Sequence, residues 1–152
     1  MEEITVIDFE GTGKSPHVEF NHLTGELILS GRSIPENAAK IYEPLLDWIN
    51  LYLEAPQPTT NLRINLDYYN TTTALWLAKI IRALSKINLK GSVLIIHVYL
   101  ETEDFEDMEL EDIKDVITSL FNQMEEVEVN IGMKMYGIDS NGKVLRESTV
   151  LF

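Results

Sequence analysis

The sequence predicts an α/β fold with a mixed central sheet, an N-terminal β-hairpin and about three helices. Strand patterns and helix patterns alternate along the middle of the chain, which is typical of parallel strands joined by helical crossovers. Turn signals separate short strands near both ends, which indicates antiparallel pairing there. The chain has 152 residues, of which 45% are hydrophobic, and this suffices for one domain with a sizeable core.

A short strand and a hairpin are predicted before the first helix. Ile4 to Phe9 has the composition of a short strand. Val18 to Phe20 and Glu26 to Leu29 flank the segment Asn21-His22-Leu23-Thr24-Gly25, which is rich in turn-forming residues. We therefore expect these two flanking segments to pair as a β-hairpin.

The first helix is predicted to run from the end of this hairpin to about Leu53. Ser33-Ile34-Pro35-Glu36 has the pattern of a capping box, in which a serine side chain and a glutamate satisfy each other's backbone amides. Apolar residues then recur at helical spacing in two stripes, Ile41, Leu45, Trp48 and Tyr52, and Leu46, Ile49 and Leu53. Pro44 conflicts with this pattern, because an interior proline is expected to kink a helix.

The rest of the chain alternates between strand and helix patterns. Alternating or continuous apolar residues predict strands at 62–68, 93–100 and 127–135, and helical spacing predicts helices at 77–87 and 110–124. Asp139-Ser140-Asn141-Gly142 is a strong turn signal. Residues 136–152 are therefore expected to form an extra C-terminal hairpin within a single domain that spans 1–152.

The charge balance excludes several classes of partner. The formal net charge is −13, so phosphate backbones and anionic membrane surfaces would be repelled.

There is no cysteine, which excludes disulfides and thiolate metal sites. The N-terminus lacks the pattern of a secretory signal, and no apolar stretch is long enough to span a membrane. We expect a cytoplasmic protein that binds neither nucleic acid nor membranes.

No motif in the chain indicates catalysis, a metal or a cofactor. Gly11-Thr12-Gly13-Lys14-Ser15 looks like the end of a nucleotide-binding loop, but Asp8 stands where the first glycine is required. None of the three histidines has a second histidine at metal-ligand spacing. His17 and His22 are read as surface residues, and His97 as a hydrogen-bonded core residue. We expect a protein that is not an enzyme.

The segment Asn70-Thr71-Thr72-Thr73 lies where a strand ends and a helix begins. The simplest interpretation is a helix cap, in which one of these side chains accepts a backbone N–H. The same geometry also suits phosphorylation, because a helix N-terminus offers free N–H groups and the positive end of the helix dipole to a phosphate. A partner surface that faces the turn would sense the added charge and bulk.

Three segments together resemble the SiaC family of regulatory phosphoproteins. They are Gly31-Arg32-Ser33-Ile34-Pro35-Glu36-Asn37, then Tyr42 with Asp47-Trp48, and finally Tyr68-Tyr69-Asn70-Thr71-Thr72-Thr73. Family members carry a Ser-x-Pro-Glu-Asn segment before the first helix and a Tyr-x-Asn-Thr-Ser-Ser-like turn before the second. The resemblance covers about residues 15 to 130.

The resemblance implies a STAS-like bacterial partner switch, similar to anti-sigma-factor antagonists. Members are phosphorylated by a serine/threonine kinase and dephosphorylated by a metal-dependent phosphatase. The unphosphorylated form binds and activates a diguanylate cyclase or another output protein, which raises cyclic di-GMP and promotes biofilm formation. The family's acceptor corresponds to Thr71, with Thr72 and Thr73 as alternatives. The expected partner-binding residues are Tyr69, Asn70, Thr71, Thr72 and Thr73.

Two other functions are compatible with the sequence. A small enzyme could use acid/base chemistry in a pocket near Asp67, Tyr68 and Tyr69, because tyrosines at a strand end can act as general acids. A structural or oligomerising module could use the two apolar stripes of the first helix together with an exposed Trp76. A concave pocket at the strand end would favour the enzyme.

Overall fold

The computed structural model describes residues 3–101 and 129–151, which form one seven-stranded sheet and two helices. The strands are β1 (Ile7–Phe9), β2 (His17–Asn21), β3 (Glu26–Ser33), β4 (Thr59–Tyr69), β5 (Val93–Glu101), β6 (Asn130–Ile138) and β7 (Val144–Leu151). The helices are α1 (Ala38–Tyr52) and α2 (Thr71–Leu84). The third helix predicted at 110–124 lies outside the described residues.

The strands lie in the sheet in the order in which they follow one another along the chain. β3, β4, β5 and β6 pair in parallel, whereas β1 and β2 at one edge and β7 at the other edge pair antiparallel. The predicted mixed sheet with an antiparallel start is therefore confirmed, as are the N-terminal hairpin and the final strand. Because right-handed crossovers that advance in one direction place their helices on one side, α1 and α2 share a face of the sheet.

The core lies between this face and the two helices. Phe20 of β2 contacts Trp48 of α1, with ring centroids 5.2 Å apart, and Trp48 stacks on Tyr52 at 5.4 Å. The strands contribute further fully buried residues, among them Leu27, Leu29, Leu62, Leu94 and Ile96. The two predicted stripes of α1 are both directed into this packing, since Leu45, Trp48, Ile49 and Tyr52 are buried.

The predicted start of α1 at Ser33 is wrong. β3 continues to Ser33, which pairs with Tyr69, and the helix begins five residues later at Ala38. Asn37 is the N-cap, and its side-chain oxygen accepts from the backbone amide of Lys40 at 3.4 Å. Pairing with β4 thus extends the strand over the residues that resemble a capping box.

Pro44 lies inside α1, which continues to Tyr52. Its ring is on the exposed side of the helix, where the carbonyl that loses its intrahelical partner can bond to water. The helix is retained because its buried face, with Tyr42 and Leu45 on either side of the proline, packs on the sheet.

A bulge changes the side-chain alternation near the end of β4. Leu66 pairs with Gly31 and Tyr68 pairs with Arg32, so Asp67 is an extra residue without a partner of its own. The bulge shifts the alternation by one residue. The alternation of Leu62, Ile64, Leu66 and Tyr68 along this strand predicts that Tyr68 lies on its apolar face, and that is wrong: Tyr68 is 60% exposed.

Candidate functional site at the start of α2

The turn between β4 and α2 is capped by Asn70. Its side-chain oxygen accepts from the backbone amide of Thr73 at 2.9 Å, and its carbonyl accepts from the amide of Ala74 at 3.1 Å. The amide of Asn70 donates to the carbonyl of Ser33 at 3.2 Å, which joins the turn to the end of β3. The predicted helix cap is therefore confirmed, with Asn70 as the capping residue.

The three threonines that follow differ sharply in exposure. Thr71 and Thr72, the first two residues of α2, are exposed, whereas Thr73 is fully buried. Among the described residues, the side chains of Thr71 and Thr72 form no hydrogen bond. The structure thus brings together the five predicted binding residues but divides them into two sets. Tyr69, Thr71 and Thr72 are exposed, whereas Asn70 and Thr73 form the inward part.

A chain of buried hydroxyl groups holds the inward part. Thr73 Oγ1 donates to the Ser33 carbonyl at 2.7 Å and lies 2.8 Å from Ser33 Oγ, which lies 2.6 Å from the Tyr42 hydroxyl. Each hydroxyl has one proton and can donate only once. Because Thr73 donates to the Ser33 carbonyl, the Ser33 hydroxyl has to donate to Thr73, and the Tyr42 hydroxyl then has to donate to Ser33. All three residues are 0% exposed. We call Ser33, Tyr42 and Thr73 the hydroxyl chain.

Burial keeps the Tyr42 hydroxyl protonated. It raises the pKa of Tyr42 above its ordinary value, so at neutral pH this hydroxyl keeps the proton that it donates to Ser33. This chain has no signal in the local sequence, because Tyr42 and Thr73 lie 9 and 40 residues from Ser33. The local pattern predicts that the Ser33 side chain caps a helix, and that is wrong.

Exposed aromatic and apolar side chains lie on either side of Thr71 along the chain. Tyr69, two residues before it, is 58% exposed, and Leu75, one helical turn after it, is 62% exposed. Tyr68 pairs with Arg32 and lies under its guanidinium, 5.0 Å from its ring centroid, on the sheet face opposite Tyr69. Large apolar side chains exposed close together are typical of sites that bind other proteins. We call Tyr69, Thr71, Thr72 and Leu75 the turn surface.

Trp76 is not the exposed residue that the sequence analysis assumed. Its ring stacks on Tyr42 with centroids 6.1 Å apart, and Lys79 Nζ lies 4.2 Å from its centroid on α2. The side chain is half-buried. Trp76 and the stripes of α1 are thus used in packing within the chain, which weakens the case for an oligomerising module.

Among the cavities lined by described residues, three well-formed ones lie away from Asp67, Tyr68 and Tyr69. One lies between β1 and α1, one on β5 and β6 near β7, and one beside the hairpin of β2 and β3. Asp67, Tyr68 and Tyr69 are all exposed. The proposed acid/base pocket therefore receives no support from the geometry.

His97 lies on the sheet face opposite α1 and α2 and is 4% exposed. Its Nε2 lies 2.7 Å from Asn61 Oδ1, and its Nδ1 lies 2.7 Å from the hydroxyl of Tyr136. Burial, together with the positive charges of Arg63 and Lys134, lowers the pKa of His97 to about 4. His97 is neutral at pH 7, and its prediction as a hydrogen-bonded core residue is confirmed.

One group of possible metal ligands occurs among the described residues. His17 Nε2 lies 3.3 Å from Asp8 Oδ1 and 3.7 Å from Glu19 Oε1 on the hairpin of β1 and β2. Asp8 and Glu19 are directly opposite each other on paired strands, and the half-buried His17 ring lies within hydrogen-bonding distance of Asp8. Exposed acidic groups beside a histidine are a common feature of protein surfaces.

Neither described helix is long and apolar enough to cross a membrane.

Comparison with known proteins identifies the chain's relatives. A family model described as SiaC family regulatory phosphoprotein matches residues 9–129. An uncharacterized protein of Pseudomonas aeruginosa (strain UCBPP-PA14) is 27% identical over 81 residues, which is 53% of this chain and 64% of that protein. The chain thus spans less than two thirds of that relative's length.

Solved structures share the fold. The crystal structure of apo-SiaC from Pseudomonas aeruginosa is 18% identical, with a TM-score of 0.59 over 84% of this chain and 98% of that chain. A chain in the crystal structure of diguanylate cyclase SiaD in complex with its activator SiaC, from the same organism, is 19% identical, with a TM-score of 0.60 over 82% of this chain and 97% of that chain.

The fold is therefore SiaC-like, and its description as STAS-like stays a prediction. The family match begins in β1 and reaches to the start of β6, so it includes both α1 and the turn before α2. The chain belongs to the SiaC family of regulatory phosphoproteins.

Proposed function

We propose that this chain is a non-catalytic signalling protein in which reversible phosphorylation of Thr71 controls binding to a diguanylate cyclase. The observation that carries the proposal is the exposed Thr71 side chain at the N-terminus of α2, within the turn surface. A serine/threonine kinase and a metal-dependent phosphatase would set the phosphorylation state. The solved complex of SiaD with its activator SiaC supports a cyclase as the partner.

The geometry favours Thr71 over the third threonine as the acceptor. Thr71 is the first residue of α2, where N–H groups lack intrahelical partners and can bond to a phosphate without disturbing the fold. Thr73 is 0% exposed and its hydroxyl donates to the Ser33 carbonyl, so a kinase would have to unfold the turn to reach it. Thr72 is exposed and stays the alternative acceptor.

A phosphate on Thr71 would weaken binding through its charge. It adds nearly two negative charges and three acceptor oxygens beside Tyr69 and Leu75. If those exposed apolar side chains become buried against the cyclase, the charge has to be desolvated as well, and this is costly without a matching cation. The unmodified turn surface carries no such charge, so the unmodified form is the one that binds.

The test compares the wild type and two variants in phosphorylation and in binding to the cyclase. Thr71→Ala should resist the kinase and bind the cyclase like the unmodified wild type. Thr72→Ala, the matched control one residue along, should be phosphorylated and released like the wild type. Isothermal titration calorimetry should show that the phosphorylated wild type binds the cyclase at least about 10-fold more weakly. This corresponds to a loss of about 1.4 kcal/mol in binding free energy.

Equal affinity of the phosphorylated and unmodified wild type for the cyclase would contradict the proposal. Mass spectrometry of protein from its native cells, with the phosphatase removed, tests the modification separately. The proposal requires phosphate on Thr71 in that sample.

A further inference from the structure

We infer that Ser33 and Thr73 are positioning residues for the modification of Thr71. They hold the first turn of α2 in the folded conformation that the kinase recognises. This inference rests on the proposed function and adds how the acceptor is presented. Neither residue touches the phosphate itself, because both side chains are fully buried.

The first turn of α2 is bonded to a single residue of the sheet. The Ser33 carbonyl accepts from both the amide of Asn70, at 3.2 Å, and the hydroxyl of Thr73, at 2.7 Å. The hydroxyl of Ser33 lies 2.8 Å from Thr73 Oγ1 and is itself held by Tyr42 of α1 at 2.6 Å. The turn is thus tied to β3 on both sides of Thr71, at positions 70 and 73.

The four residues of the turn, 70–73, differ in their hydrogen bonding. Asn70 and Thr73 make the bonds that fix the backbone, and the side chains of Thr71 and Thr72 make none within the part of the chain that the structure describes. The acceptor hydroxyl is therefore free while the backbone that carries it is fixed. This arrangement presents one conformation of Thr71 at the surface.

Loosening the turn has a definite consequence for a kinase that recognises this conformation. Losing the Thr73 hydroxyl leaves the buried Ser33 hydroxyl with one bond fewer, which favours conformations in which the turn opens. A ligand that binds one conformation has its apparent affinity reduced in proportion to the fraction of molecules in that conformation. The Michaelis constant for the substrate should rise, while kcat for the bound, correctly folded turn should stay the same.

The test measures phosphorylation rates of three variants with the purified kinase that phosphorylates the wild-type chain. Thr73→Val keeps the branched shape and removes the hydroxyl, Thr73→Ser keeps the hydroxyl, and Thr5→Val is the matched control at an exposed threonine outside the turn surface. We expect KM for Thr73→Val to rise about 10-fold with kcat unchanged. Thr73→Ser and Thr5→Val should stay within about 2-fold of the wild type.

Two further measurements separate positioning from simple unfolding. Circular dichroism at the assay temperature gives the folded fraction, and KM is calculated for folded protein only. Amide hydrogen exchange should be faster at residues 73 and 74 in Thr73→Val than in Thr5→Val, since these amides bond to Asn70.

The outcomes distinguish this inference from the proposed function. Phosphorylation of wild-type Thr71 with an unchanged or lower KM for Thr73→Val overturns the positioning role and leaves the proposed function standing. Failure of any kinase preparation to modify wild-type Thr71, together with its absence in native cells, overturns both.

Discussion

Replacing Ser33 by alanine should reveal how much the hydroxyl chain stabilises the fold. The serine hydroxyl accepts from Tyr42 and donates to Thr73, so the substitution removes two buried hydrogen bonds, of which the bond to Thr73 contributes about 1 kcal/mol. It also leaves the buried Tyr42 hydroxyl without its acceptor, and an orphaned buried donor costs about 1–3 kcal/mol. We expect the free energy of unfolding to fall by about 2–4 kcal/mol.

A double-mutant cycle isolates the orphaned donor. In a Tyr42→Phe background no donor is left behind, so Ser33→Ala should cost only about 1 kcal/mol there. The coupling between the two positions is then about 1–3 kcal/mol. Urea denaturation followed by circular dichroism gives the four free energies, and Ser140→Ala, in an exposed turn, is the matched control with a change of about 0.5 kcal/mol or less.

Two results would refute this reasoning. Costs of Ser33→Ala and Tyr42→Phe that simply add, to within about 0.5 kcal/mol, would show that the two hydroxyls do not bond to each other. A Ser33→Ala variant as stable as the Ser140→Ala control would show that the hydroxyl group is not buried among polar partners.

Two predictions concern other parts of the fold. The pKa of His97 is about 4, against an ordinary 6.5, so between these pH values the unfolded chain binds a proton that the folded chain does not. The free energy of unfolding should therefore decrease by about 3 kcal/mol as the pH falls from 6.5 to 4. Urea denaturation of His97→Gln should show a weaker dependence of this free energy on pH. Gly25 has φ +76, and a Cβ there would collide with the Thr59 carbonyl, so Gly25→Ala should lower the free energy of unfolding by about 1–3 kcal/mol. Gly13→Ala, with open space around its Cβ, should melt like the wild type.

The parts of the fold that depend on neighbouring residues were predictable. The hairpin of β2 and β3 was found from its turn, and Gly25 does adopt the left-handed conformation that such turns require, with φ +76. The continuous apolar run of β5 indicated a central strand, and this strand pairs on both sides in parallel. In each case the information lies within about ten residues.

The start of α1 could not be predicted in the same way. Ser33 with Glu36 three residues later, and Pro35 between them, satisfy every local criterion of a helix start. Asn37 is an equally good cap, and only the pairing of Ser33 with Tyr69 on β4 decides between the two. Where a capping pattern and a strand pairing involve the same residue, the strand pairing therefore decides its conformation.

The bulge at Asp67 had no local signal either. The alternation of β4 predicts that Tyr68 follows Leu66 into the core, and a bulge is detectable only when the register against β3 is known. Its effect is to bring Tyr68 to the surface beside Arg32, on the sheet face opposite the two helices.

The difference in burial among the three threonines, by contrast, follows from the sequence. Leu77, Ile80 and Leu84 form a stripe along α2, at spacings of three and four residues, and the last two are fully buried. Extending this stripe back by one turn leads to position 73, four residues before Leu77, and not to 71 or 72. Helical periodicity alone thus assigns Thr73 to the core and leaves the Thr71 hydroxyl at the surface, which is the difference that a kinase would have to detect.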